Sequence, residues 1–249
     1  MDNLFNKLYS LGQHPVETTN TVTILEKIGH FLDEENEDLY QSYKKQGVSK
    51  KDVSALIAAD LDVQRLLTRA ARDWDGGFVL AGMIGHGDAF VMRDPAGIRP
   101  AYYYADDEVV VVASERPAIM TTFNVAIEKV NEILPGNALI VKKDGSYRLS
   151  QFVQPAKKMS CSFERIYFSR GTDKDIYLER KKLGSFLVPS ILKAIDYDLE
   201  NTVFSYIPNT AAVAYYGMMG ALEKFCDGVK KDRIMQAGND ITAKELEKI

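Results

Sequence analysis

FVMRDPAGIRPAYYYADDEVVVVASERPA, residues 90 to 118, changes character several times within one short span. A strand-like run ends at Arg93, and a turn follows that carries prolines at 95 and 100 with Gly97 between them. Two β-rich runs, AYYYAD and EVVVVAS, then meet at the Asp106-Asp107 turn. Pro95 and Pro100 each hold φ near about −65°, and Gly97 permits a left-handed backbone that a Cβ would oppose. Arg93 and Asp94 are expected to form a close pair that locks the turn. This is the composition of architecture beside a site rather than of the site itself. EVVVVAS is apolar on both of its faces and predicts cover from both sides. Ala113-Ser114-Glu115 then closes the strand and opens a helix, with Ser114 as N-cap and Glu115 at the positive end of the helix dipole.

Outward from this stretch, Asp75 to Gln154 keeps the two-residue period of strands. GGFVLAGMI, DAFVMRD, NALIVKK and YRLSQFV join the two runs above. Gly85-His86-Gly87-Asp88 and Asp144-Gly145 read as tight turns, with His86 a turn residue. The first 75 residues have helical spacing instead. Asn3 to Leu11 ends at Gly12, Thr21 to Leu32 places Val22, Leu25 and Ile28 near one face, and Leu61 to Trp74 carries a buried stripe. The acidic run Asp33 to Asp38 reads as a solvated face, and Ser49 to Asp52 as a capping-box variant. After Pro155 come a link, a long helix, a short apolar strand in NTVFSYIPNT, and a helix from Ala211 to Phe225. Helices followed by an apolar sheet predict an α+β fold, an αββα sandwich, and the last segment reads as the opening of an α/β unit.

The chain has 249 residues, 46% of them hydrophobic, enough for one large domain or two modest ones. A formal net charge of −4 opposes nucleic-acid binding, which needs a basic face. No apolar run approaches the roughly eighteen residues of a membrane span, and MDNLFNKLYSLGQHP lacks the form of a secretory signal. The expected location is the cytoplasm. Cys161 and Cys226, far apart and without a CxxC, predict neither a disulfide framework nor a zinc site, and His14, His30 and His86 share no metal-ligand spacing.

Arg93 to Pro100, then Ala113-Ser114-Glu115, then Pro135-Gly136 resemble in that order the late glutaminase-domain motifs of the amidophosphoribosyltransferases. Cys161-Ser-Phe-Glu-Arg-Ile-Tyr-Phe-Ser-Arg170 resembles the opening of that family's phosphoribosyltransferase domain. The match departs at Ala101, where the family has Leu, and at Arg116-Pro117. The resemblance implies a class II glutaminase sandwich of the N-terminal-nucleophile type over residues 1–157, and the start of a phosphoribosyltransferase α/β domain over 158–249. It makes Arg93, Asp94, Gly97 and Arg99 a structural motif. For the complete enzyme it implies glutamine and phosphoribosyl pyrophosphate as substrates, magnesium as cofactor and a homo-oligomer. The family's nucleophile is an N-terminal Cys whose own α-amine is the base. This chain begins Met1-Asp2-Asn3, and Cys161 lies in the link, so no catalytic residue is assigned.

Asn20 stands where the family has an Asp that holds the α-amino group of glutamine, in the segment Glu17 to Val22; capping of the helix from Thr21 is its other reading. Thr210 in Pro208-Asn209-Thr210 stands near the family's magnesium and phosphoribosyl pyrophosphate, and is equally placed to cap the following helix. The family's loop of two acidic residues leading into Gly-Thr-Thr has no counterpart here. A lone Cys161 excludes an iron-sulfur cluster. The expectation is therefore a central fragment or truncated homologue that holds no cofactor firmly and is inactive by itself. A non-catalytic binding or interaction module is the alternative.

Overall fold

In the computed structural model, which describes residues 2–15, 17, 19–237 and 242, the chain divides into two units after Cys161. The first opens with four helices: α1 (Asp2–Ser10), α2 (Asn20–Lys45), α3 (Val53–Asp60) and α4 (Val63–Ala70). Strands β1 (Val79–Met83), β2 (Ala89–Arg93), β3 (Tyr102–Ala105) and β4 (Val110–Ala113) follow. Then come α5 (Arg116–Phe123), a 3₁₀ turn at Ile127–Lys129, and β5 (Asn131–Glu132), β6 (Asn137–Val141) and β7 (Tyr147–Gln151).

All strand pairs are antiparallel. They form one sheet in the order β1-β2-β6-β7 and a second in the order β4-β3-β5. The alternation of side chains along each strand stacks these sheets between helices. On β2 and β6, Phe90, Met92, Ala138 and Ile140 face Leu61, Val63, Leu66 and Leu67 of the helical layer. The opposite face sends Val91 and Leu139 against Val110 and Val112 of β4. The remaining face of β4, Val111 and Ala113, meets Ile119 and Phe123 of α5. β4 is thus covered on both sides, and the layers run helix, sheet, sheet, helix.

Several local expectations give way to tertiary context. α2 does not stop near Leu32 but continues through the acidic run, because Glu35 is buried at 1% exposure and held by α4. Arg65 Nε donates to it at 2.6 Å and Arg69 Nη1 at 2.8 Å. The cap of α2 is Thr19, whose Oγ1 accepts from Val22 N at 3.4 Å, leaving Asn20 as the first helical residue. The expected capping box from Ser49 to Asp52 does not open α3: Ser49 Oγ accepts from Asp52 N at 3.3 Å and donates to Asp52 Oδ2 at 2.6 Å in the turn ahead of the helix, whose cap is Asp52 with no side-chain cap bond. Asp62, not Leu61, opens α4 through its bond from Arg65 N at 3.1 Å. Ser114 is not the cap of α5: Glu115 holds that position without a side-chain cap bond, and Pro117 fixes the first turn.

The second unit contains a π-helical turn at Glu164–Phe168 and two long helices, α6 (Lys174–Ala194) and α7 (Ala212–Ala237). Asp173 caps α6, its Oδ1 accepting from Asp175 N at 3.0 Å and Ile176 N at 3.2 Å. The helices meet at facing glycines. A Cβ on Gly184 would fall 1.7 Å from Ala214 O, and one on Gly217 would fall 1.9 Å from Lys181 O. Val188, Leu192, Met218 and Leu222 close the seam beyond them. The expected strand in NTVFSYIPNT is not formed. Residues 202–207 have no ladder partner among the described residues, and Phe204 instead packs on the α6–α7 cluster, its carbonyl accepting from Tyr215 Oη at 3.3 Å.

Candidate functional site

The turn after β2 gathers the densest polar network of the sequence-singled residues. Asp94 is fully buried, at 0% exposure. Its Oδ1 accepts from Ala96 N at 3.1 Å and Ile98 N at 2.9 Å, while Oδ2 accepts from Arg99 N at 3.1 Å. Arg93 turns away from it. Successive side chains at the end of a strand point to opposite faces, so the expected Arg93–Asp94 pair gives way to two separate roles. Arg93 Nε donates to Arg99 O at 2.6 Å, Nη2 to Gly97 O at 3.1 Å, and Nη1 to both Ile133 O at 2.6 Å and Glu132 Oε1 at 2.7 Å. One side chain ties the turn's amides, and the other ties its carbonyls and a neighbouring strand.

Gly97 sits at φ +60° with no room for a Cβ, which would lie 2.8 Å from Pro135 Cγ. Arg99 contributes its backbone at both ends of the network, while its side chain is exposed. Glu132 also receives Lys158 Nζ at 2.8 Å. Burial works against its charge, but Lys158 and Arg93 outweigh burial and hold its carboxyl below the ordinary range. Sequence reading missed Glu132 because β5 is only two residues long and has no periodicity to read.

The turn also holds the segment that follows β7. Ala156 N donates to Pro95 O at 2.8 Å, Met159 N to Ala96 O at 2.8 Å, and Cys161 N to Ile98 O at 3.4 Å. Gly136 N donates to Asp94 O at 3.1 Å. The chemistry available here is positional. Every oxygen of Asp94 and every donor group of Arg93 described above is spent on fixed backbone or on Glu132, so the cluster holds geometry and presents no nucleophile.

Of the other sequence candidates in the first unit, Asn20 and His86 take no part in the hydrogen bonds above. Asn20 has an exposed side chain at the start of α2; Thr18, in the segment compared with the glutamine-binding motif, lies outside the described residues. Thr210 is half-buried in the second unit, in the turn before α7, which starts at Ala212 with its amide donating to Asn209 O at 3.2 Å. Neither Cys161 nor Cys226 forms a disulfide among the described residues. No three His, Cys, Asp or Glu side chains come together to hold a metal among the described residues. His86 is a turn residue, and its Nε2 lies 3.1 Å from Asp88, which is 1% exposed. Burial opposes the Asp88 charge, and Lys142 at 2.5 Å, His86 and the Lys143 amide overcome it and hold the carboxyl low.

No protein-family model matches the chain. Among curated proteins, it is 27% identical over 161 residues to the amidophosphoribosyltransferase of Lachancea kluyveri, covering 60% of this chain and 31% of that protein. It is 30% identical over 160 residues to the Haemophilus influenzae amidophosphoribosyltransferase, with coverage of 60% and 31%. The Saccharomyces cerevisiae amidophosphoribosyltransferase is 27% identical over 184 residues, with coverage of 69% and 36%. The chain therefore spans about a third of the length of these relatives. Among solved structures, the glutamine phosphoribosylpyrophosphate amidotransferase of B. subtilis, in complex with ADP and GMP, superposes with a TM-score of 0.56. It is 21% identical and covers 89% of this chain and 41% of that one. The chain is thus similar in sequence to amidophosphoribosyltransferases, and its α+β fold matches that of the solved structure. No helix among the described residues is long and apolar enough to cross a membrane.

Proposed function

We propose that these residues form the structural body of a glutamine-dependent amidophosphoribosyltransferase, with residues 1–157 as its glutaminase-type domain and 158–249 as the beginning of its phosphoribosyltransferase domain. In the whole reaction, water cleaves the glutamine carboxamide to glutamate and ammonia. The ammonia nitrogen then attacks the anomeric carbon of phosphoribosyl pyrophosphate, pyrophosphate leaves, and 5-phosphoribosylamine forms. The observation that carries this reading is the buried turn at Arg93–Pro100, whose Arg and Asp brace a layered sandwich of the type the relatives share. Glutamine and phosphoribosyl pyrophosphate are the small molecules proposed, cytoplasm the proposed location and a homo-oligomer the proposed assembly.

The 249-residue polypeptide is itself proposed to be inactive. Class II amide cleavage needs a Cys thiolate beside its own free α-amine, and Cys161 and Cys226 are both internal. Purified as these residues, the protein should release no ammonia from glutamine above the buffer rate, and no pyrophosphate from phosphoribosyl pyrophosphate with ammonium. Release of either overturns the inactivity.

A second reading, a non-catalytic binding module, is favoured by Asn20. An amide there cannot supply the charge-assisted bond that a carboxylate gives an ammonium, a loss of roughly 1 kcal/mol or more. The gene on either side of this segment discriminates the two. A Cys-Gly start before it and an Asp-Asp to Gly-Thr-Thr loop after it support the enzyme, and a reading frame lacking both supports the module.

A further inference from the structure

Away from the Arg93 turn, the helical layer of the first unit encloses a pocket of about 370 Å³. Its charge is lopsided: Lys7 on α1, Lys27 on α2, and Arg69 and Arg72 at and beyond the end of α4 line it, against Asp73 alone. Arg69 is already committed, bonded to Glu34 and Glu35 and laid over the Phe31 ring at 4.7 Å. Asp73 is shared, with Lys7 Nζ at 3.0 Å and Lys27 Nζ at 3.6 Å. Lys7, Lys27 and Arg72 set against one carboxylate leave a surplus of about two positive charges.

Lys27 is the telling member. The residue is 4% exposed, its ammonium has no hydrogen-bond partner, and the distance to Asp73 is too long for one. A buried ammonium with its donors unused is costly, and burial accordingly pushes Lys27 below its ordinary range.

We propose that this pocket binds a phosphate dianion, held by Lys27 from the buried side and by Lys7 and Arg72 from the rim. The charge surplus matches a phosphate or phosphate monoester, which carries about two negative charges at neutral pH, better than a carboxylate, which carries one. The volume lies within the range of small-ligand sites, roughly 300 to 1,000 Å³, and Phe31 supplies an apolar wall against which the organic part of a monoester would rest. The site is independent of the glutamine and phosphoribosyl reading above, and either can fail without the other.

Titration calorimetry on the 249-residue protein with inorganic phosphate, phenyl phosphate and acetate tests it. Saturable phosphate binding is expected, at least tenfold tighter than acetate. Phenyl phosphate binding more tightly than inorganic phosphate identifies a monoester site, and equal binding identifies a site for free phosphate. Lys27→Met should weaken phosphate binding at least tenfold while leaving the fold intact. Arg72→Gln, at an exposed position where folding is not at risk, should weaken it several-fold. Absence of saturable binding, acetate binding as tight as phosphate, or unchanged affinity in both variants overturns the proposal.

Discussion

Each unit is held together internally by different physics. In the first, four layers interlock, so that β2, β4 and β6 are covered on both faces and a buried Arg–Asp turn ties loop to strand. The second rests on one seam between α6 and α7, where two glycines let the backbones touch. Its side chains away from that seam are notably open, with Phe186 at 66% exposure and Val203 at 93%. The lesson is where each unit is vulnerable. A layered core distributes the effect of a substitution over many contacts, whereas a single seam concentrates it on the residues that set the helix spacing.

Gly217→Ala is the sharpest way to break this contrast. Its Cβ would meet the Lys181 carbonyl, which no rotamer change relieves, so the helices must separate at a cost of roughly 3 kcal/mol or more. Hydrogen exchange should show protection lost across α6 and α7; retained protection there would mean that the seam is not what holds the unit. Asp94→Asn comes next. It leaves one oxygen where two accepted three amides, and should lower the stability of the first unit by about 2 to 3 kcal/mol, read from the urea midpoint. A loss below about 0.5 kcal/mol would mean that the turn follows the fold rather than bracing it.

Acid acts most mildly. Asp88 and Glu132 titrate below their ordinary values of 3.8 and 4.5 in the folded protein, so what they contribute is fully present above those values. It is lost as pH falls through the lower folded values. The urea midpoint of the first unit should therefore hold steady from pH 7 to about 5 and drop below about 4, with Asp88→Asn flattening the drop. An unchanged drop in that variant would assign acid sensitivity to other groups.

These differences also explain what could be read in advance. The long strands were legible because turn residues such as Asp144-Gly145 and Gly87 punctuate runs with a clear two-residue period. The cover on both faces of β4 followed from its unbroken apolar run. The register of capping was not legible at α2, where Thr19 and Asn20 are both competent caps and only the path of the chain decides. Glu35 resembled its acidic neighbours until Arg65 and Arg69 met it from another helix. VFSYI had the composition of a strand, but a strand is made by a partner, and composition does not reveal whether one is adjacent.

For the candidate site, the motif from Arg93 to Pro100 was recognisable while its wiring was not. Glu132 and Lys158 join it from far along the chain, and Arg93 and Asp94 divide labour that adjacency in sequence had assigned to a mutual pair. Asn20 is the first helical residue of α2 rather than its cap, Thr210 lies in the turn two residues ahead of α7, and no hydrogen bond given above joins Asn20 to the Arg93 turn.

The carbonyls of Pro95, Ala96 and Ile98 accept from Ala156, Met159 and Cys161, and this alters how the link between the units behaves as a polymer. A tether is counted from its last anchored residue. Here the stretch after β7 belongs mechanically to the first unit, so protease nicking should begin beyond Cys161 rather than at Pro155, and any span engineered between the units gains slack only from Ser162 onward.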